Sequence, residues 1–299
     1  MTEPRIAIYG RSYVDAQVEI DLASLATGKG KVDARVVAGF GGFACNAARA
    51  ISGRFPPASV RVVTAASWID LPRLRAAIPA VVQLEALPTN APDAAFPPIS
   101  VVINPSTSCR ILRDRMDHED AAWRVNRVSS DALCAALQMM GRLPSRFASD
   151  VLRRCRANKG RFAWVGGDAL PRALERECDL LCVNRREAGR LLGVQGGTPR
   201  EMAAALAKRA KPADAVRVVT GAGKAPATAA FREGGRVHFL ESRPRAVSRI
   251  RRLLGVGDVF AARFMTTACF DSRGAPRRRL DVAGALAAAQ RAAEEFLVS

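Results

Sequence analysis

The amino-acid sequence predicts an α/β fold, doubly wound, with a mainly parallel sheet that carries helices on both faces. Three observations support this class. Short, continuously apolar runs recur along the chain, as expected of strands buried on both faces. Helix-like segments separate these runs. Several runs end in glycine or a polar residue, and this end of a strand is where open parallel sheets bind ligands.

The first predicted strand, residues 5–10, is an apolar run that ends in Gly10, and Asp15 follows five residues later. Because ligands lie beyond the carboxyl ends of such strands, a carboxylate at this point is well placed to accept hydrogen bonds from substrate hydroxyl groups. A turn-forming Asp is the alternative. On this residue alone the turn is the preferred interpretation.

Residues 16–37 differ in character from the core strands. Residues 17–22 alternate polar and apolar side chains, residues 28–30 form a glycine turn, and residues 33–37 are again extended. This pattern predicts a hairpin with one solvated face. A hairpin of this kind can cover a pocket.

A glycine cluster at residues 39–42 precedes a predicted helix of small residues. Small side chains let a helix pack closely on a sheet, which explains the alanines of this segment. They do not explain Asn46, a polar residue one turn inside the helix. A carboxamide donates and accepts hydrogen bonds, so at the opening of a pocket it suits the hydroxyl groups of a sugar.

The middle of the chain alternates between predicted strands and helices, without an internal repeat, and is interpreted as part of one domain over residues 1–299. Residues 88–98 are the nearest approach to a linker. Residues 130–140 fit a helix or a buried strand. Strands are predicted at 60–64, 81–84, 99–103, 161–165, 179–184 and 216–220, and helices at 72–78 and 149–157.

Asn184 ends one of these strands, and Glu187 follows three residues later at the start of a helix pattern. One interpretation is a capping box, in which each side chain bonds the other residue's backbone amide. The other is a magnesium site, because both residues offer oxygen ligands at the carboxyl edge of the sheet. Alone, the capping interpretation is preferred.

Thr220 ends the strand at 216–220, and Gly221 and Gly223 form a glycine loop after it. Such a loop can lie against the ribose or the phosphates of a nucleotide. The loop is not a Walker A motif, because the required Gly-Lys-Ser/Thr ending is missing.

Residues 255–258, with the sequence Gly-Val-Gly-Asp, form a predicted glycine turn that leads into a helix. The first amides of a helix have no intrahelical partner, so together with the helix dipole they form a site for anionic oxygen. Asp258 is then either the residue that caps the helix or a general base for a hydroxyl group that attacks a phosphate. By itself the motif favours the cap.

The chain is strongly basic, with 46 Lys plus Arg against 28 Asp plus Glu and a formal net charge of +18. Arginine is spread over the whole chain, and the densest stretches, 142–161 and 243–252, hold almost no aromatic residues for base stacking. A solvated basic surface is therefore favoured over specific nucleic-acid binding, which is kept as a distant alternative.

The apolar segments and the cysteines indicate in which cellular compartment the protein is expected. No apolar run approaches the roughly 18 residues of a membrane span, and residues 1–10 do not resemble a signal peptide. The seven cysteines are scattered and odd in number, which predicts reduced, mostly buried thiols and no zinc site. A cytoplasmic protein is expected.

In this order, the motifs together resemble the ribokinase/PfkB family of carbohydrate and nucleoside kinases. The resemblance covers nearly the whole chain. It rests on G-G-F-A-C-N at 41–46, N-R-R-E at 184–187, V-V-T-G at 218–221 and G-V-G-D at 255–258, with Gly10 and Asp15 near the start.

The resemblance implies a ribokinase-like domain with a small β lid, formed by about 12–38 and 98–125, through which two copies can associate. It implies transfer of the γ-phosphoryl group of ATP to a hydroxymethyl group of a sugar or nucleoside, with Mg²⁺ as cofactor. The resemblance implies that Asp258 is the base and that the anion hole is formed by Gly255, Val256 and Gly257. The implied substrate-binding residues are Asp15, Gly41, Gly42 and Asn46. The implied nucleotide-binding residues are Asn184, Glu187, Thr220, Gly221 and Gly223, of which Asn184 and Glu187 would also bind magnesium through water.

One departure bears on activity. The family usually has D-T-x-G-A-G-D, and here Arg252 and Leu253 replace the leading pair. The missing acid belongs to a loop that often binds potassium, so no potassium activation is expected. Arg252 either supplies the positive charge itself or faces solvent. Because Asp258 and both glycines are retained, an active kinase is favoured over a catalytically silent sugar- or nucleotide-binding relative.

Overall fold

The computed structural model describes residues 5–20, 34–56, 59–66, 71–88, 99–103, 110–113, 134–138, 145–166, 170–221, 225–247, 250 and 254–299. Arg252, Leu253 and Gly223 lie outside these ranges, as do Cys109 and the turn predicted at 28–30. Within the described residues, no helix is long and apolar enough to cross a membrane.

The large sheet has nine strands, which in chain order are β1 (Ile6–Gly10), β4 (Val60–Ala66), β5 (Gln83–Pro88), β8 (Cys134–Gln138), β9 (Arg161–Val165), β10 (Leu180–Asn184), β11 (Val216–Thr220), β12 (Ala227–Glu233) and β13 (Arg236–Ser242). Their spatial order is β13-β12-β11-β10-β9-β8-β1-β4-β5. Every pairing is parallel except those of β12 with β11 and with β13. The sheet is therefore mainly parallel, as predicted.

The described helices are α1 (Gly42–Ile51), α2 (Leu71–Ala77), α3 (Ser145–Ala157), α4 (Arg172–Glu177), α5 (Arg185–Leu192), α6 (Pro199–Arg209), α7 (Val256–Cys269) and α8 (Val282–Val298), with a 3₁₀ turn at Ser52–Arg54. Local chemistry explains several boundaries. Thr198 caps α6 in a capping box, with Pro199 as the first helical residue. Gly193 ends α5 in the left-handed conformation, with a φ of 75°.

Two hydrophobic cores lie on opposite faces of the large sheet. Side chains alternate along β1, so Ile6 and Ile8 join one core with residues of α1, α2, α7 and α8. Ala7 and Tyr9 join the other core, with residues of α3, α4, α5 and α6. Helices thus cover both faces, and the doubly wound α/β prediction is confirmed.

A second, four-stranded sheet has the order β3-β2-β6-β7, from β2 (Tyr13–Glu19), β3 (Arg35–Gly41), β6 (Ile99–Ile103) and β7 (Arg110–Arg113). The antiparallel pairing of β2 with β3 confirms the predicted hairpin. All four strands overlap or adjoin the segments about 12–38 and 98–125. That this sheet acts as a lid stays a prediction.

Several elements differ from the sequence-based prediction. Residues 130–140, open between helix and strand, contain strand β8. The strand predicted at 81–84 begins two residues later, because residues 79–82 form a turn closed by the Val82 amide and the Pro79 carbonyl, 2.9 Å apart. The β12–β13 hairpin, strand β7 in the polar, turn-rich segment 104–120, and the helices α4, α6 and α8 were not predicted.

Candidate active site

Helix α7 runs antiparallel to the central strands, and this direction sets the position of its N-terminus. Its last residue, Cys269, lies against Cys134, the first residue of β8, with the two sulfurs 3.9 Å apart. Since the C-terminus of α7 is at the amino edge of the sheet, its N-terminus is at the carboxyl edge. This is the edge where parallel sheets bind ligands.

Gly255 is the N-cap of α7 and has a φ of 87°, in the left-handed region that favours glycine. Val256 is the first helical residue, and Asp258 is the third. The N-cap interpretation of Asp258 is therefore wrong, because the N-cap is Gly255, a residue without a side chain. Because the chain enters through Gly255, the Asp258 carboxylate is placed beside the first turn of α7.

The Asp258 carboxylate accepts a hydrogen bond from Asn46, with Asn46 Nδ2 and Asp258 Oδ2 2.9 Å apart. The two residues are separated by 212 positions in the chain. Asn46 is buried on α1, and its amide nitrogen also lies close to Gly255, where an added Cβ would be 2.4 Å away. Only glycine therefore leaves room for this carboxamide next to the α7 N-terminus.

Asp15 lies within β2, paired opposite Gly39 of β3, so the interpretation of Asp15 as a turn residue is wrong. Its carboxylate lies directly against Gly41, where an added Cβ would be 1.8 Å from Asp15 Oδ2. Gly42 has a φ of 83°, and a Cβ there would be 2.3 Å from the Arg11 carbonyl oxygen. Asp15 and both glycines thus lie at the start of α1, one turn before Asn46.

Gly257 contrasts with the other glycines of this site. It is exposed in the first turn of α7, and a Cβ added there would contact nothing within 4 Å. Its lack of a side chain therefore serves no internal packing among the described residues. It leaves open the space in front of the helix amides, as a bound anion requires.

The residues assigned to the nucleotide lie further along the same edge. Asn184 and Thr220 are the last residues of β10 and β11 and are paired in register. Asn184 Oδ1 accepts from the Glu187 amide and Glu187 Oε2 accepts from the Asn184 amide, both at 2.9 Å, so the capping box is confirmed. Gly221 follows, packed so closely on Ala225 that a Cβ would be 2.5 Å from the Cβ of Ala225.

The two groups of residues are separated across the sheet. Gly10 ends β1 near the predicted substrate residues, and β10 lies three strands away, a separation of about 14 Å. Helix α7 packs against β9, β10 and α1, and α1 packs against β1 and β4. Asp258 therefore lies between the predicted substrate residues and the predicted nucleotide residues.

Two buried polar residues at this edge were missed from the sequence. Arg11 and Ser12 directly follow β1 and are 7% and 4% exposed. Ser12 Oγ accepts hydrogen bonds from Thr64 Oγ1 at 3.1 Å and from the Cys45 thiol at 3.5 Å. The sequence signal that could have identified them is a charged residue and a hydroxyl residue directly after a buried strand that ends in glycine.

Thiol chemistry does not fit this site. Burial raises the pKa of Cys45, the residue before Asn46, so the thiol stays protonated near neutral pH. The six described cysteines are free and buried, which confirms the predicted burial for that part of the chain, and their reduced state stays a prediction. The described residues contain no group of three or more His, Cys, Asp or Glu side chains arranged to hold a metal ion.

Comparison with known proteins shows the fold. The chain is 14% identical to adenosine kinase from Schistosoma mansoni, solved with 2-fluoroadenosine, at a TM-score of 0.68 over 100% of this chain and 96% of that one. Ribokinase from Giardia lamblia is 15% identical, at a TM-score of 0.69 over 100% and 94% of the two chains.

Ribokinase from Arabidopsis thaliana, solved with ribose and ATP, is 17% identical at a TM-score of 0.62, over 88% of this chain and 85% of that one. No protein-family model and no curated protein sequence matches the chain. The protein therefore has the fold of ribokinases and adenosine kinases, and at these identities the comparison establishes the fold alone.

Proposed function

We propose that this protein is an ATP-dependent kinase that transfers the γ-phosphoryl group to a hydroxymethyl group of a sugar or nucleoside. The hydrogen bond between Asn46 and Asp258 carries the proposal, because it joins a carboxamide suited to sugar hydroxyls to a carboxylate beside an open helix N-terminus. Neither residue has an evident packing reason to be polar. The likeness to ribokinases and adenosine kinases supports the same substrate class.

Asp258 would accept the proton of the attacking hydroxyl group, with Asn46 holding the carboxylate in position. The hydroxyl oxygen bonds to the γ-phosphorus as the bond to the β–γ bridging oxygen breaks, and ADP leaves. The amides of Gly255, Val256 and Gly257 would donate to the phosphoryl oxygens as charge develops on them. Such transfer depends chiefly on positioning and charge stabilisation, which backbone amides provide.

Asp15, Gly41 and Gly42 would bind the remaining hydroxyl groups of the substrate, next to Asn46. Thr220 and Gly221 would contact the nucleotide from the ends of β10 and β11. Asn184 and Glu187 fit a magnesium site, since they place oxygen atoms at this edge and hold them with a capping box. Bound through water, Mg²⁺ would supply positive charge to the phosphates.

The four-stranded sheet would act as a lid over the substrate, because Asp15 belongs to its strand β2. Its edge strand β3 exposes Val36 and Val37, by 60% and 53%. An edge strand with adjacent exposed valines favours pairing with a second copy of the chain. Light scattering tests this directly, and a monomer at micromolar concentration would contradict the proposed dimer.

A panel of sugars and nucleosides, each assayed for ATP consumption, tests the activity. Asp258→Asn is the matched variant, since its carboxamide oxygen still accepts the Asn46 hydrogen bond while the base is lost. We expect retained folding and ATP binding, and turnover lower by about 10²-fold or more. Turnover of the variant at the wild-type rate would show that Asp258 is not the base.

A catalytically silent binding protein is the second candidate, favoured by Arg252 and Leu253 in place of the usual Asp-Thr pair. The same panel separates the two. A sugar or nucleoside that raises the melting temperature but is never phosphorylated would establish the silent relative.

A further inference from the structure

A small pocket lies at the amino edge of the large sheet, the edge opposite Asp258. Its volume is about 280 Å³, and it lies between the end of α3, the start of β9 and the segment that follows α7. We call it the amino-edge pocket. Five cations are among the described residues that line it, with no carboxylate: Arg156, Lys159, Arg161, Arg277 and Arg278.

Three of these cations have carboxylate partners, none of which lines the pocket. Asp179 is fully buried and lies 2.9 Å from Arg156 and 3.6 Å from Arg161, which also pairs with Asp214. Arg277 lies 3.5 Å from Asp281 and donates to the Phe270 carbonyl oxygen at 3.0 Å. These arginines are therefore held in position by the fold itself.

Lys159 and Arg278 are different, because neither forms an ion pair within the described part of the chain. Lys159 is also the one non-glycine residue with positive φ among those described, at 55°. A Lys in the left-handed region is uncommon, and the fold must hold it there at some cost. Lys159 is exposed and is nevertheless one of the residues that line the pocket.

Helix ends do not account for this charge. The C-termini of α3 and α7 border the pocket and contribute about half a negative charge each. Their last carbonyl groups already accept hydrogen bonds, as from Gly160 N to Cys155 O at 2.7 Å and from Arg277 N to Cys269 O at 2.7 Å. Against two cations without ion pairs, an excess of about one positive charge remains in the pocket.

We propose that the amino-edge pocket binds a small phosphate-bearing anion, of the size of pyrophosphate or a sugar phosphate. The planar fork of arginine matches phosphate oxygens, and a phosphate supplies the negative charge that Lys159 and Arg278 lack. The volume is at the lower limit of ordinary ligand pockets, which favours a compact anion over a nucleic-acid strand. This site is separate from the proposed kinase site, at the other end of α7.

The test is calorimetric titration with pyrophosphate at about 0.15 M salt, where weak surface attraction is screened. The test variant is Lys159→Gln/Arg278→Gln, which leaves the partners of Asp179 in place. The control is Arg172→Gln/Lys208→Gln, with the same loss of charge at two exposed residues that do not line the pocket. We expect binding to the pocket to weaken at least about tenfold in the test variant and to stay within about twofold in the control.

A second variant tests whether weaker binding results from loss of charge or from misfolding. Lys159→Gly removes the charge and relieves the positive φ, so it should be at least as stable as the wild type and still bind pyrophosphate more weakly. Equal weakening by the control pair, or no pyrophosphate binding to the wild type, would overturn the proposal. So would a short DNA duplex that binds more tightly than pyrophosphate and is released by the same substitutions.

The outcome is independent of the kinase assignment. Pyrophosphate that binds at the N-terminus of α7 is unaffected by Lys159→Gln/Arg278→Gln, because that site is at the opposite edge of the sheet. The substitutions can therefore weaken pyrophosphate binding even if the protein has no kinase activity. They can also leave pyrophosphate binding unchanged if the protein is an active kinase.

Discussion

Substituting Gly257 by Ala separates the role of this glycine in folding from its role in binding. A Cβ added there contacts nothing within 4 Å, and the residue lies in the first turn of α7 without positive φ. Alanine favours a helix over glycine, so the free energy of unfolding should rise slightly, by up to about 0.5 kcal/mol.

Activity should change in the opposite direction. The Cα–Cβ bond of a helical residue tilts toward the helix N-terminus, so the new methyl group occupies space in front of the amides. If phosphoryl oxygens bind there, kcat/KM should fall by about 10²-fold, the scale of one lost oxyanion-hole donor. Gly255→Ala is less informative, because its positive φ and its approach to Asn46 damage folding and activity together.

The assay combines kcat/KM on the substrate found in the panel with urea unfolding of the same preparation. Gly196→Ala is the matched control, since Gly196 is exposed between α5 and α6 and an added Cβ there also contacts nothing within 4 Å. The expected result is full activity for the control and a stable, slow Gly257→Ala enzyme. Wild-type kcat/KM in Gly257→Ala would refute the assignment of these amides to the phosphates.

Three further results are expected. Turnover should be the same in potassium as in a large inert cation at matched ionic strength, because Arg252 replaces the acid of the usual cation loop; activation of severalfold would show that a cation site persists. Burial raises the pKa of Cys178 and Cys182 to about 12, so between pH of about 9 and 12 the native thiols keep protons that the unfolded chain releases. The free energy of unfolding should then fall by about 1.4 kcal/mol per pH unit for each thiol, and urea unfolding of Cys182→Ala should show half of this pair's slope. Arg217 is fully buried and donates hydrogen bonds to the carbonyl groups of Cys178, Val216 and Glu175. Arg217→Ala should therefore lower the free energy of unfolding by about 3–5 kcal/mol. A loss below about 1 kcal/mol in urea unfolding would contradict this.

Much of the fold could be predicted because local patterns indicate it. Continuous apolar runs predicted the central strands, and the spacing of Asn184 and Glu187 predicted the capping box found at α5. The β12–β13 hairpin was missed although its signal was present. Gly234 and Gly235 both have positive φ, at 57° and 78°, as a two-residue hairpin turn between antiparallel strands requires.

Single-residue interpretations failed where tertiary contacts outweighed local preference. Asp258 suits an N-cap by type, yet the N-cap is Gly255, and the Asp258 carboxylate accepts a hydrogen bond from Asn46 instead. Asp15 suits a turn, yet it lies in β2, where pairing with β3 places its carboxylate against Gly41. In both cases the deciding neighbour is remote in the sequence.

The sequence by itself predicted most of the central strands, the glycine clusters at the starts of α1 and α7, and the polar residues that stand out from an apolar pattern. Tertiary structure alone decided that Asn46 bonds to Asp258 across 212 residues, and that cations from three segments line the amino-edge pocket. Backbone preferences and hydrophobic periodicity depend on a few neighbouring residues, so they can be predicted from the sequence. The pairing of a charge or a carboxamide depends on distances between elements that only packing sets.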